Sequence, residues 1–208
     1  MNASRRLFLS SAVFPSLRGG SRTSPNGRIR IGVIGAGNRG KLLIDQLPEE
    51  AEIAAVADCF PRRAREAAAR RQASWRIYED HRRLLDDKDI DGVIVATADH
   101  QRALCSIHAC QAGKDVYAEK PLTLYVAEGR ALVRAARRYS RVFQVGSQQR
   151  SMAMNRLAVE FVRKGGIGEL QFVEGVNYSG PVSYTTLPEE PAPEGLNWDL
   201  WHLDDAPR

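Results

Sequence analysis

Six residues constrain this chain more than any others: Gly35-Ala36-Gly37-Asn38-Arg39-Gly40, a G-x-G-x-x-G turn. Alone, the pattern is a weak signal. Here an apolar, β-rich run over Ile29–Ile34 precedes it. A helical pattern over Asn38–Leu47 follows, with Leu42, Leu43, Ile44 and Leu47 at helical spacing. A strand that turns into a helix through three glycines has a specific physical use. The first glycine permits a tight turn, the second lets a pyrophosphate approach the backbone, and the third lets helix and strand pack closely. Free N–H groups at the helix start then hold the phosphates. Gly35, Gly37, Asn38, Arg39 and Gly40 are therefore the first candidate cofactor-binding residues, the alternative being a glycine-rich turn with no ligand.

The rest of the chain repeats the same rhythm. Glu52–Ala57 reads as a second strand and Arg62–Arg71 as an alanine- and arginine-rich surface helix. Tyr78 leads into a short helix at His81–Leu85. Strand-like runs follow at Gly92–Ala96, Asp115–Ala118 and Val142–Val145. Between them lie helical patterns at His100–Ala112 (closed by Gly113) and Tyr125–Tyr139. Short apolar strands alternating with helices predict an α/β fold with a doubly wound parallel sheet of Rossmann type. After Gly146 the pattern changes. Met152–Lys164 reads as a helix, Leu170–Val176 as a strand, and residues 180–195, rich in Pro and Glu, as loop. The expected division is a leader and linker over 1–28, a dinucleotide-binding domain over 29–150, and the start of a second α/β domain over 151–208.

Asp58 falls at the end of the second strand, about 20 residues beyond the turn. A carboxylate there can accept from the adenosine ribose hydroxyls and repel a 2′-phosphate, which favours NAD over NADP. Arg62 and Arg63 follow closely and could hold a 2′-phosphate instead. A strand-end turn acid is the bland alternative for Asp58.

The formal net charge of +5 suggests a polyanion partner until its location is considered. Residues 1–30 hold six arginines and no acid, and the remainder holds 24 basic and 25 acidic groups. The folded part thus offers no net positive field for a nucleic acid. No apolar run reaches the length of a membrane span. Cys59, Cys105 and Cys110 show no metal-ligand spacing, so neither a disulfide framework nor a metal site is read. At the start, Arg5-Arg6-Leu7-Phe8-Leu9 is similar to a twin-arginine export signal. That predicts a periplasmic location, against the alternative of a disordered basic terminus on a cytoplasmic protein. Pro15 interrupts the apolar stretch, and no clear Ala-x-Ala cleavage site follows.

The most specific stretch is Gly113-Lys114-Asp115-Val116-Tyr117-Ala118-Glu119-Lys120-Pro121. A lysine at the C-terminal end of a parallel strand points into the ligand crevice of an open α/β sheet. There its ammonium can polarise a carbonyl or donate to a hydroxyl under oxidation. A solvated strand-end lysine is the alternative.

Taken together, these residues resemble the Gfo/Idh/MocA oxidoreductase family. The resemblance runs from Ile29 to about Trp201. It includes Val93-Ile94-Val95-Ala96-Thr97, Asp99-His100, Val145 to Arg150, Gly165 to Glu169, and Asn197-Trp198-Asp199-Leu200-Trp201. By resemblance Lys120 is the catalytic lysine beside nicotinamide and substrate, with Glu119 in the same motif. Thr97 and His100 lie on the cofactor loop, and Gln148 and Arg150 lie near nicotinamide and substrate. The resemblance implies hydride transfer between NAD, less so NADP, and a small-molecule sugar or polyol.

Three departures bear on that expectation. Ala98 stands where the family often has proline, and Arg102 where many exported members carry a second histidine. An Asp-x-x-x-His element of the family's second domain has no counterpart: His202-Leu203-Asp204-Asp205 does not match it. His81 and His108 sit within helical patterns and read as structural. The expectation is therefore an oxidoreductase with an impaired catalytic half. The alternatives are a non-catalytic dinucleotide-binding protein and a gene fragment. Unpaired edges on the Leu170–Val176 strand would invite association with another chain, including a second copy in a homo-oligomer.

Overall fold

The computed structural model describes residues 27–176 and 188–203. The leader lies outside the described residues. Contacts along the chain divide it into two compact units. One comprises residues up to Gly146 together with the segment from Glu194, and the other runs from Ser147 to Pro193. The sequence pattern places the boundary at 150 instead, and groups the final segment with the second unit.

Among the described residues, the first unit contains six strands: β1 (Ile29–Ile34), β2 (Ala51–Ala57), β3 (Arg76–Tyr78), β4 (Gly92–Val95), β5 (Asp115–Glu119) and β6 (Phe143–Gly146). All are parallel, in the order β3-β2-β1-β4-β5-β6. Sequence order reverses between β1 and β4, and at that switch point a doubly wound sheet opens a crevice at its C-terminal edge. The helices of this unit are α1 (Asn38–Asp45), α2 (Pro61–Arg70), α3 (His81–Leu85), α4 (Asp99–Gln111) and α5 (Val126–Arg138).

Alternation along the central strands distributes the core to both faces. Val93 and Val95 join Ile34, Leu84, Cys105, Ala109 and Ala135 on the face covered by α3, α4 and α5. Ile94 joins Ile31, Val33, Ile44, Ala64 and Ala67 on the face covered by α1 and α2. This is the doubly wound architecture that the alternating pattern predicts. Gly32, which interrupts the apolar run of β1, leaves the space that Leu84 fills: a Cβ there would lie 2.7 Å from Leu84 Cδ2. His81 and His108 stack with ring centroids 5.3 Å apart, their facing nitrogens at 3.0 Å, and so join α3 to α4.

The second unit contains a 3-10 turn at Gln148–Ser151 and α6 (Ala153–Arg163). The Asn155 amide fastens them by donating to the Gln149 carbonyl at 2.8 Å. Leu170–Val176, which the sequence suggests as a strand, is irregular. Leu170, Phe172, Val173 and Val176 are exposed there, and no described strand pairs with them. A strand needs a ladder partner to be stable, and a run rich in apolar residues does not by itself supply one.

Candidate functional site

The β1–α1 turn is built as its three glycines require. Gly35 has φ +94°, and a Cβ on it would meet the Ala96 carbonyl at 2.7 Å. A Cβ on Gly40 would sit 2.0 Å from the Gly35 carbonyl oxygen, so the third glycine is needed for helix and turn to touch. Gly37 differs: a Cβ there meets nothing within 4 Å. Its bare backbone faces open space, in a cavity of about 280 Å³ that it lines with Gly35, Asn38 and Arg39. No side chain caps the start of α1, and its first turn carries no acid. Exposed N–H groups and the positive helix end thus face a space without a Cβ in the way, which fits a pyrophosphate.

Asp58 is buried at the end of β2 and also lines the cavity. Its two oxygens accept backbone N–H groups, Oδ2 from Ala36 at 2.7 Å and Oδ1 from Phe60 at 2.9 Å. The carboxylate therefore shapes the glycine turn as well as facing the cavity. Its neighbour Cys59 also lines the cavity. Burial, together with the Asp58 charge, pushes the Cys59 thiol up to about 11. Of the two following arginines, Arg63 lines the cavity, whereas Arg62 is exposed and pairs with Glu66 at 2.9 Å.

The Glu119-Lys120-Pro121 segment leaves the end of β5 and is held from two sides. On one side, Arg39 of the glycine turn donates from Nε to Glu119 Oε1 at 2.7 Å, and its terminal nitrogen lies 2.6 Å from the same oxygen. Glu119 is 2% exposed, and its other oxygen accepts the Lys120 N–H at 2.9 Å. On the other side, Arg102 of α4 is buried. Its guanidinium donates to the Thr97 carbonyl at 2.5 Å, to the Pro121 carbonyl, and to Asp99 Oδ1 at 3.0 Å. The planar fork suits Arg102 to bridging two loops at once. Lys120 itself is exposed at the strand end.

The predicted residues thus fall into four groups. Gly35, Gly37, Asn38, Arg39, Asp58 and Thr97 line one cavity, and Gly40 packs directly beneath it. Glu119 and Lys120 stand on the neighbouring strand end, tied to Arg39. His100 is turned to the carbonyl of Trp201, 2.8 Å from its ring nitrogen. Gln148 and Arg150 lie on the exposed 3-10 turn of the second unit. Arg63, one of the two arginines that the sequence offers for a 2′-phosphate, lines the cavity, whereas sequence reasoning gives no sign of Cys59, Gln101, Leu200, Trp201 and Leu203 as lining residues. It noted Arg102 only as a departure from the family.

A parallel sheet in this order, with a glycine turn and an acid facing one cavity at the switch point, defines a dinucleotide-binding domain. Residues 29–147 match the family model of Gfo/Idh/MocA, described as an oxidoreductase family with an NAD-binding Rossmann fold, and the chain belongs to that family. It is 26% identical over 182 residues to an inositol 2-dehydrogenase of Salmonella paratyphi B, covering 86% of this chain and 53% of that one. It is 34% identical over 145 residues to the inositol 2-dehydrogenase of Acidothermus cellulolyticus, covering 67% of this chain and 42% of that one. The myo-inositol dehydrogenase of Lactobacillus casei, solved in complex with NAD(H) and myo-inositol, superposes with a TM-score of 0.64 at 30% identity. That match covers 68% of this chain and 43% of the other. The chain thus spans about half the length of the curated relatives it matches. Among the described residues, no helix is long and apolar enough to cross a membrane.

Proposed function

We propose that the chain is an NAD-dependent oxidoreductase of sugar or polyol type that binds its cofactor well and turns over weakly. The observation that carries the first half is the open space above Gly37, beside the uncapped start of α1 and the buried Asp58. Backbone N–H groups of the Gly35–Gly40 turn would hold the pyrophosphate, and Asp58 would accept from the ribose hydroxyls. Bound there, the nicotinamide would donate or accept the hydride. Lys120 would hold the substrate oxygen by its ammonium, set in place by the Arg39–Glu119 pair and by Arg102. Asp58 at the cavity favours NAD over NADP. Relatives whose names state inositol 2-dehydrogenase support the polyol class.

Weak turnover follows from the second unit. Hydride transfer needs the substrate carbon held against the nicotinamide, and misplacement by about 1 Å can cost on the order of a hundredfold. None of the described residues from 147 to 193 is buried, so none has a packed neighbourhood to fix it. The same observation favours a second reading, a dinucleotide-binding protein without catalysis. The paired Arg5-Arg6 ahead of Phe8-Leu9 supports export to the periplasm, which replacement of both arginines by lysine should stop in a fractionation experiment.

Calorimetric titration with NAD tests the core of the proposal. Gly37 has φ −66° and room for a side chain, so Gly37→Val should fold as the wild type does. It should nevertheless lose NAD binding, because its side chain would occupy the pyrophosphate's approach. Equal affinity in the two proteins would overturn the assignment. Asp58→Ala should narrow the preference for NAD over NADP, and an unchanged ratio would reduce Asp58 to a turn residue. A panel of sugars and polyols, followed by nicotinamide absorbance, separates weak turnover from none. Robust turnover abolished by Lys120→Ala would refute the weak-enzyme reading.

A further inference from the structure

The segment Asn197-Trp198-Asp199-Leu200-Trp201 has no role in the scheme above, yet the fold carries it back to the cavity. It forms α7 (Trp198–His202), capped by Asn197, whose Oδ1 accepts the Leu200 N–H at 3.0 Å. One end is tied to the loop after β2. There the Asn197 N–H donates to the Cys59 carbonyl at 2.9 Å, and the Asn197 amide donates to Glu79 at 2.9 Å. The other end is tied to α4. There the buried Gln101 donates to the carbonyls of Leu200 and Trp201, at 3.1 and 2.6 Å, and the His100 ring meets the Trp201 carbonyl. Five hydrogen bonds across a separation of 99 residues or more thus fasten a five-residue helix over the crevice. Leu200, Trp201 and Leu203 line the cavity together with Asp58, Cys59 and Gln101.

The position of this wall identifies what meets it. With a pyrophosphate at the start of α1 and a ribose at Asp58, the purine lies beyond Asp58, between the loop after β2 and the start of α4. Those are the two places to which α7 is tied. A purine offers two apolar faces, and an indole beside two leucines is a surface suited to receive one. Resting on the dinucleotide reading, we infer that α7 is the adenosine-binding wall of the site, with Trp201 as its contact residue and His100 and Gln101 as the residues that position it.

Trp201 is also its own reporter. The chain has three tryptophans, so the full-length protein carrying Trp75→Phe and Trp198→Phe leaves Trp201 alone. ADP and NAD should each quench its emission, and nicotinamide mononucleotide at the same concentration should not. By calorimetry Trp201→Ala should weaken ADP and NAD by about fivefold or more, in line with the usual worth of base–aromatic stacking. Gln101→Ala keeps the indole but frees α7, and should weaken ADP in the same direction, so the test survives if Trp201→Ala folds poorly. Wild-type ADP affinity in both variants, with unquenched Trp201 emission and normal NAD binding by the wild type, would overturn the inference and leave the dinucleotide reading standing. Quenching by nicotinamide mononucleotide as strong as that by ADP would also overturn it. A wild-type chain that binds neither NAD nor ADP would remove the reading and the inference together.

Discussion

In the first unit Val33, Leu84, Val95 and Ala109 are completely shielded from water. In the second, Leu157, Phe161, Phe172 and Val173 are each more than half exposed. The two regions draw on the same kinds of side chain, and α6 has a clear apolar face at Met154, Leu157 and Phe161. What differs is closure. The first unit has a sheet with helices on both faces, so each apolar position finds an opposing layer. The described part of the second has one helix and no sheet. Amphipathic patterning requests a partner; only topology provides one.

The largest expected effect sets two close-packed glycines against each other. Gly40→Ala drives a Cβ into the Gly35 backbone, which cannot yield. It should cost about 3 kcal/mol or more in denaturant unfolding. NAD binding should disappear with it. Gly166→Ala also brings a Cβ too near a neighbour, 2.5 Å from the Phe161 ring, but that ring is exposed and free to swing away. The melting temperature should hardly change. A large loss from Gly166→Ala would show that the second unit is packed after all.

A leucine pair comes next. Leu84→Ala opens a hole beneath Gly32 and should cost about 3 kcal/mol, whereas Leu157→Ala should stay within about 0.5 kcal/mol. Equal losses in urea titrations would erase the contrast between the regions. Arg102→Ala should cost about 2 kcal/mol, since it removes charge-assisted hydrogen bonds to two loop carbonyls. Arg102→Lys should recover little, because a single ammonium cannot bridge as the guanidinium fork does.

The smallest effect is one of reactivity. With its thiol held up to about 11, Cys59 stays protonated near neutrality. A cysteine introduced on exposed α6 by Val159→Cys should titrate near about 8.5. At pH 8, iodoacetamide should therefore alkylate Cys59 roughly two orders of magnitude more slowly than the introduced thiol. Both rates should climb with pH, that of Cys59 continuing to rise well after the other has levelled. Matching rates at pH 8 would mean that Cys59 is neither shielded nor subject to the Asp58 charge.

What the sequence made legible was local. The glycine turn was readable because strand, turn and helix adjoin in the chain and each glycine has its own geometric duty. β4 was readable because a strand buried on both faces must be apolar throughout. β3 was missed: it spans three residues and opens on Arg76, too short for alternation to register. α7 was missed because five residues give little period to read, and its partners Cys59, Glu79, His100 and Gln101 lie about a hundred positions away. The work of Arg102 was invisible for a related reason. It binds backbone carbonyls, which every residue possesses, so no pattern of side chains announces it. Leu170–Val176 failed in the opposite direction: Leu170, Phe172, Val173 and Val176 suggest a strand, but no described strand pairs with them.

The strand order also sets a timetable for synthesis. β1 lies at the middle of the sheet, between β2 and β4. β2 leaves the ribosome soon after it, but the stretch from Gly35 to Asp91 must be translated before β4 begins. At about 5–20 residues per second, that leaves one flank of β1 open for roughly 3 to 12 s. Throughout that interval an apolar strand presents its unpaired N–H and C=O groups to any other nascent chain on the same message. The feature that later forms the nucleotide crevice is thus, during translation, the part of the molecule most in need of a chaperone.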